Sequence, residues 1–367
     1  MDKRITFLTK KNIDQKKLKK ELREYYETLE ISENKTILKN ILDNFDSSYF
    51  TSLSPQEIQF LNSNSTEIWP EYLIFRYKFN IYPKEHRVAN FPNYLLIEPV
   101  SACNLRCTMC FQIDQSFSNN KNFMGMMDVE LFKNIIDQAQ KGGTKAITLA
   151  SRGEPTLHPK LGEMLEYCSG KFFELKLNTH ANNLTEKLIH QILKSDMTDL
   201  VFSVDSYTKD VYESIRVNGI FENVLKNIQK FKEIREKFYP NSKCATRISG
   251  VKVNSDLDSQ KFKEFWEKYV DHVVLIEMEI RWDTYNNPIE IGGTGPCEYL
   301  WERMYIWYDG TCNPCDVDYK SELAVGSVKN NTVSEIWNGE KFNQIRNAHK
   351  NGKRKSCFPC DRCPLGS

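Results

Sequence analysis

The chain of 367 residues contains no uninterrupted apolar run approaching the roughly 18 residues that a membrane-spanning helix needs, which excludes an integral helical membrane protein. It also lacks a surplus of charge. Fifty Lys and Arg stand against 49 Asp and Glu, a net of +1, so no global field recruits nucleic acid or an anionic membrane, and neither is expected as a partner. The opening residues, MDKRITFLTKKNIDQKK, lack the apolar core and small-residue cleavage site of a secretory signal. A soluble, cytoplasmic location is therefore expected, and with it few structural disulfides. There is no internal repeat in the solenoid range and no low-complexity linker. What is present is a 40% apolar fraction with 21 Phe, which excludes a disordered chain.

Against that background eleven cysteines stand out, and nine of them fall into two groups, 103, 107 and 110, then 297, 312, 315, 357, 360 and 363. In a reducing compartment such clusters point to metal ligands. Cys168 and Cys244 stand alone and read as core packing.

Residues 1–92 read as a helical extension. In KKNIDQKKLKKELREYYETLE the residues Leu18, Leu22, Tyr25 and Leu29 recur at helical spacing, and Ser32, Thr51 and Ser54 are candidate helix starts. From residue 93 short β-rich runs alternate with helical ones. Six strands are predicted, over 94–100, 145–150, 172–178, 199–205, 244–253 and 272–280. Between the first two, Phe132, Ile135, Ile136 and Ala139 form one face of a helix that stops at Gly142 and Gly143. Repeated βα units imply a parallel sheet with right-handed crossovers. The fold class expected is α/β, a partial (β/α)6 barrel over 93–287, followed by a small cluster-binding domain over 288–367 in which no further strand is recognised.

Cys103-x3-Cys107-x2-Cys110 directly follows the first strand, in EPVSACNLRCTMCFQ, where active sites gather at the carboxyl ends of parallel barrel strands. A cubane iron-sulfur cluster takes four thiolates when saturated, so three leave one iron open, while zinc would need a fourth protein ligand and the loop offers no His. This motif resembles that of the radical S-adenosylmethionine superfamily, and the resemblance covers residues 93–283. It implies a [4Fe-4S] cluster on Cys103, Cys107 and Cys110 that chelates S-adenosylmethionine and cleaves it to a 5′-deoxyadenosyl radical. SRGEP after strand two is similar to the family's GGEP, with Arg152 in place of the first glycine, and implies that Gly153 and Glu154 bind the methionine amine. By the same likeness Asn178, Thr179, Ser203, Asp205 and Arg216 are expected to contact the cofactor, with Phe111 near adenine. Arg247 shares a strand face with Ser249 and Val251 and is a candidate clamp for the methionine carboxylate.

The C-terminal group, Cys297-x12-Gly310-x4-Cys315 with Cys360-x2-Cys363, looks like the SPASM and twitch extensions that hold an auxiliary [4Fe-4S] cluster, which makes these four cysteines the expected ligands. A zinc ribbon of Cys312, Cys315, Cys360 and Cys363 is the rival reading. The resemblance implies an enzyme that abstracts a hydrogen atom from a substrate carbon and draws electrons from a partner such as flavodoxin or ferredoxin. The expected substrate is a small polar molecule, sugar or cyclitol, because residues 1–92 lack the hairpins of a peptide-leader module; a peptide-modifying maturase is the alternative, and a non-catalytic electron carrier the alternative of another class. Arg281, Asp283 and Tyr285, after strand six, are candidate substrate contacts, and His180 a candidate acid or base.

Overall fold

The computed structural model describes residues 4–7, 13–45, 53–278 and 283–365. The chain divides into two compact units, Leu8–Arg87 and a larger one made of Met1–Phe7 with Val88–Ser367. No helix among the described residues is long and apolar enough to cross a membrane.

The smaller unit is helical: α1 (Gln15–Thr28), α2 (Glu33–Asp43), α3 (Pro55–Ser63) and α4 (Trp69–Ile81). Leu18 and Leu22 are buried, as their spacing implied. Ser32 accepts the Lys35 N–H at the start of α2, and Ser54 closes a capping box with Glu57 at the start of α3. Thr51 lies outside the described residues.

In the larger unit all six expected strands form: β2 (Tyr94–Ile97), β3 (Ala146–Leu149), β4 (Glu174–Thr179), β5 (Asp199–Ser203), β6 (Ala245–Lys252) and β7 (His272–Glu277). They are joined in parallel and in chain order. Four further strands of this sheet, among the described residues, were not anticipated. β1 (Arg4–Phe7) runs antiparallel to β7, and β8 (Arg303–Ile306) pairs parallel with β2 before β9 (Thr311–Asn313) and β10 (Gly326–Ser327) turn back from it. The sheet therefore continues through the segment after 288, where sequence patterning showed no strand. These runs are two to four residues long, too short for an alternation of apolar and polar residues to register.

Period two divides every strand between two environments. Leu95, Ile97, Ile147, Leu149, Leu175, Leu177, Leu200 and Phe202 point to the helices. There they meet α5 (Val129–Gly142), whose Phe132, Ile135, Ile136 and Ala139 are fully buried and which ends on Gly143 at φ +88, a left-handed turn suited to glycine. The strands also meet α6 (Leu161–Cys168) and α7 (Glu186–Lys194) in this core, with Cys168 inside it as expected. Cys244 is equally buried. The other face is mixed: it carries Thr148, Glu174, Lys176, Asn178, Asp199, Ser203, Arg247, Ser249 and Arg303 together with Tyr94, Leu96, Val201, Val251 and Val274.

Candidate active site

The loop after β2 holds the first cysteine group and is fixed from both sides. Arg106–Cys107 forms a two-residue ladder with Arg216–Val217, and the Thr108 N–H donates to Ile215 O at 2.9 Å. On the other side the Glu154 N–H donates to Ala102 O at 3.0 Å, and the Gln112 amide bridges Ser101 O and Arg152 O at 2.8 and 2.6 Å. Gly153 is where these loops touch: a Cβ there would lie 2.4 Å from the carbonyl oxygens of Val100 and Ala102. This is a packing reason for the glycine in SRGEP.

Burial first, then the charges of Glu154, Cys107 and Cys110, push the Cys103 thiol up to about 12, so the three thiols and the carboxylate lie within electrostatic reach of one another. Arg216 faces the same point, its Nη1 donating to Cys107 Sγ at 3.8 Å. Its Nε lies 2.7 Å from Asp205 Oδ2, an ion pair without the angle of a directed hydrogen bond, while Asp205 Oδ1 accepts the Val251 N–H at 2.8 Å. Glu154 Oε1 accepts from the Thr156 N–H and hydroxyl and, at 2.6 Å, from the Thr179 hydroxyl. Oε2 accepts the His180 N–H at 3.0 Å and keeps room for another donor. Asn178 Oδ1 is buried with no partner, and Ser203 stands on the same inward face, in register with Ser249.

Three expected residues have partners of their own. The His180 Nδ1 accepts the Asn182 N–H at 3.1 Å, so Nε2 carries the proton and donates to Asn104 Oδ1 at 2.9 Å. Burial lowers the imidazole pKa, Nε2 also lies 3.5 Å from Glu154 Oε2, and the ring bridges the Glu154 site and the cysteine loop. The Tyr285 hydroxyl donates to Asp318 Oδ1 at 2.8 Å and accepts the Lys320 N–H at 2.6 Å, tying the segment after β7 to the C-terminal part instead of standing free for substrate. Arg247 lies in register with Val201, itself opposite Asn178, and with His272, and its charge reaches Lys176 and Tyr94. Asp283 accepts from Asn286 Nδ2 at 2.8 Å and its charge reaches Tyr319. Arg281 lies outside the described residues. Phe111 is stacked on Tyr319, centroids 4.7 Å apart, with Phe117 edge-on.

Arg152, the departure from GGEP, is the largest feature that sequence reasoning left unexplained. Its Nε and Nη2 grip both oxygens of Glu98 at 2.7 and 2.6 Å, Nη1 donates to Tyr319 O at 3.0 Å, and the guanidinium lies 4.2 Å from the Trp307 ring centroid. Both side chains are buried, at 2% and 0% exposure.

The second cysteine group resolves by the same logic. Cys315 is influenced by Cys360 and Cys363, Cys360 by Cys297 and Cys363, and Cys297 by Cys363, so these four converge. Cys312 does not join them: on β9 it is fully buried in the apolar core, its thiol 3.8 Å from Gly310 O. The zinc ribbon, which needs Cys312, is thereby disfavoured. Cys357 is partly exposed beside Cys360. Gly310 turns the chain at φ +87, and buried Arg354, also missed in the sequence, donates to Cys360 O, Cys363 O and Gly295 O, pinning the cysteine turns.

Residues 97–265 match the model of the Radical SAM superfamily, and 297–364 that of the SPASM iron-sulfur cluster-binding domain. The chain carries a radical SAM domain followed by a SPASM iron-sulfur domain. Its curated relatives include a tungsten-containing aldehyde ferredoxin oxidoreductase cofactor-modifying protein of Pyrococcus furiosus, 34% identical over 113 residues that make up 30% of each chain. Another is the mycofactocin maturase MftC of Mycobacterium tuberculosis, 27% identical over 138 residues, 38% of this chain and 34% of that one. The matches thus span about a third of these relatives. In fold the chain is similar to Streptococcus suis SuiB bound to S-adenosylmethionine, with TM-score 0.55, 16% identity and coverage of 92% of this chain and 89% of that one.

Radical SAM and SPASM domains carry [4Fe-4S] clusters and use S-adenosylmethionine. The residues present fit those groups: three gathered thiols beside Arg216, an orphaned Asn178 oxygen at a strand end, and a separate set of four thiols. Among the described residues no three His, Cys, Asp or Glu are arranged for a single metal ion. A cubane spreads its thiolates over separate corner irons, wider than the ligands of one ion, and the thiol sets are read in those terms.

Proposed function

We propose that this radical SAM enzyme modifies a peptide by hydrogen-atom abstraction, with residues 93–287 as catalytic part, 288–367 as auxiliary-cluster domain and 1–92 as an extension. The observation that carries the chemistry is the convergence of Cys103, Cys107 and Cys110 with Glu154 at the strand ends. The peptide substrate is supported by the maturases among the relatives and replaces the sugar or cyclitol expected from residues 1–92.

When bound, the catalytic cluster and S-adenosylmethionine supply reductive cleavage and a hydrogen-abstracting radical. Cys103, Cys107 and Cys110 hold that cluster, and Arg216 balances the thiolate of Cys107. Oε2 of Glu154, held in place by Thr179 and His180, receives the methionine amine by a charge-assisted hydrogen bond. Asn178 and Ser203 line the cofactor's path on the inward face. Asp205 orients Arg216. Phe111, backed by Tyr319, offers its remaining surface to the adenine. Cys297, Cys315, Cys360 and Cys363 hold the auxiliary cluster, and a flavodoxin or ferredoxin of the cytoplasm supplies the electron.

The test is anaerobic incubation with dithionite and S-adenosylmethionine. 5′-Deoxyadenosine should form, increase with a substrate peptide, and take up deuterium from a peptide deuterated at the attacked carbon. No 5′-deoxyadenosine above background would favour a non-catalytic electron carrier, and stimulation by cyclitols but not peptides would reject the substrate class.

A further inference from the structure

The turns that carry Cys360 and Cys363 wrap a buried cation. Arg354 is 2% exposed and opens a short 3-10 turn, Arg354–Ser356. Its Nε donates to Cys360 O at 3.0 Å, its Nη2 to Cys363 O at 3.0 Å, and its Nη1 at 3.1 Å to the carbonyl of Gly295, two residues before Cys297. The rigid fork of a guanidinium meets three carbonyls at once only while these segments stay folded around it. The main chain closes on it in return: the Cys357 N–H donates to Arg354 O at 2.9 Å and the Asp361 N–H to Cys357 O at 3.0 Å. Cys297 is held as well, its N–H donating at 3.2 Å to Nδ1 of His349, which is buried on the helix Glu340–Lys350.

A carbonyl oxygen and a thiol of one cysteine are only a few bonds apart, so the Arg354 charge stands within one residue's span of the Cys360 and Cys363 sulfurs. Burial raises the thiol pKa values of Cys297, Cys357 and Cys360, and in each the charge of Arg354 opposes the rise. The other charges around the set are arranged differently. Asp318 and Asp316 face Cys315 and are of opposite sign. The charge of Arg303 also reaches Cys297, but Arg303 is paired with Glu302, and Asp361 is paired with Arg362 at 3.1 Å. Four thiolates around a cubane leave an anionic group, and one further electron makes it more so. A fixed cation beside it favours the more negative state, strongly so where little water is present to screen the charges.

We propose that Arg354 is a positioning residue with a redox role: held by the carbonyls of Cys360, Cys363 and Gly295, its charge raises the reduction potential of the group bound by Cys297, Cys315, Cys360 and Cys363. The inference rests on the auxiliary-cluster assignment made above. A neutral amide donor would serve to order the cysteine turns. A guanidinium orders them and adds a field, so the auxiliary set accepts an electron more readily than its thiolates alone would allow.

The experiment uses the full chain, reconstituted anaerobically, with Cys103, Cys107 and Cys110 changed to Ala, so that the remaining irons, about four per chain, report on the auxiliary set alone. A mediated redox titration followed by electron paramagnetic resonance gives the midpoint of its one-electron couple. In this parent, Arg354→Gln keeps an amide donor without the charge and should destabilise the reduced form at least about tenfold, a fall in midpoint of about 59 mV or more. Arg354→Lys keeps the charge with a different donor geometry and should stay within about threefold of the parent. An arginine that only orders the turns predicts otherwise: an unmoved midpoint in Arg354→Gln, or equal falls in both variants, overturns the proposal. Should Arg354→Gln not retain its irons, Arg354→Lys decides, since irons and midpoint at the parent's level support the charge, and loss of either overturns it. A parent without iron would reject the auxiliary-cluster assignment and this inference together, whereas a loaded parent whose midpoint ignores the charge rejects the inference alone.

Discussion

Replacing Arg152 by Met would remove the only cation that grips Glu98 with two nitrogens, and the cost can be reasoned from the geometry. Glu98 is fully buried and accepts, besides the two guanidinium contacts of 2.6 and 2.7 Å, the Arg152 N–H at 3.1 Å and the Tyr308 N–H at 3.3 Å. In the variant those two backbone donors stay, but the carboxyl group is left in the interior without its counterion. Breaking a buried pair in this way costs about 3–5 kcal/mol, much of it the penalty on the partner left behind. With a urea slope of about 3 kcal/mol/M, the midpoint should fall by about 1 to 1.7 M. Adding Glu98→Gln should restore part of that loss, because a neutral amide removes the unbalanced charge, although its single carbonyl oxygen can accept only one of the two N–H donors, which bind different oxygens of Glu98. The assay is anaerobic urea unfolding of wild type, both single variants and the double variant, followed by tryptophan fluorescence, which Trp307 beside Arg152 makes locally sensitive. A midpoint within about 0.2 M of wild type for Arg152→Met, or a double variant no better than the single, would refute the reasoning.

Cys297→Ala should lower iron toward one cluster per chain while Cys312→Ala keeps both clusters, as metal analysis and charge-transfer absorption would register; the opposite pattern would restore the ribbon reading. Glu154→Gln should weaken S-adenosylmethionine binding by about ten- to a hundredfold, roughly 1.5–3 kcal/mol, with iron content intact, by titration calorimetry. His158, whose Nε2 meets Met127 O at 2.9 Å while Nδ1 accepts the Lys160 N–H, has its pKa lowered chiefly by burial. The unfolded chain therefore binds more protons at this residue between the lowered folded pKa and about 6.5, so stability declines as pH falls through that window, and His158→Gln should flatten this part of a stability–pH curve measured by urea unfolding.

Much of the molecule was legible because its signals are local. The six strands announce themselves as apolar runs, α5 ends on a glycine pair, and each cysteine group is defined by spacing. What escaped depends on distance along the chain. Arg152 and Glu98 are 54 residues apart, and nothing near either predicts a partner. Arg247 shares its strand face with Ser249 and Val251, as read from the sequence, but that its charge reaches Lys176 and Tyr94 depends on the pairing of separate strands. His180 looked available because Asn178 and Thr179 beside it are polar; Asn104, 76 residues away, and the Asn182 backbone engage its two nitrogens. Arg354 had no motif at all, since its role is to bind main-chain carbonyls of the cysteine turns.

The parallel pairing of β8 with β2 also has a consequence for the order in which the protein is made. Tyr308 and Glu98, which seal this seam, are 210 residues apart, so it is a contact of very high sequence separation. At synthesis rates of about 5–20 residues per second, one edge of β2 waits about 10 to 40 s on the ribosome for its neighbour. During that interval an apolar strand with unpaired main-chain groups faces solvent, a template for wrong pairing with other nascent chains. Expression at low temperature with slow induction should therefore favour soluble protein, and a chain cut before Arg303 should aggregate even though all six barrel units are complete.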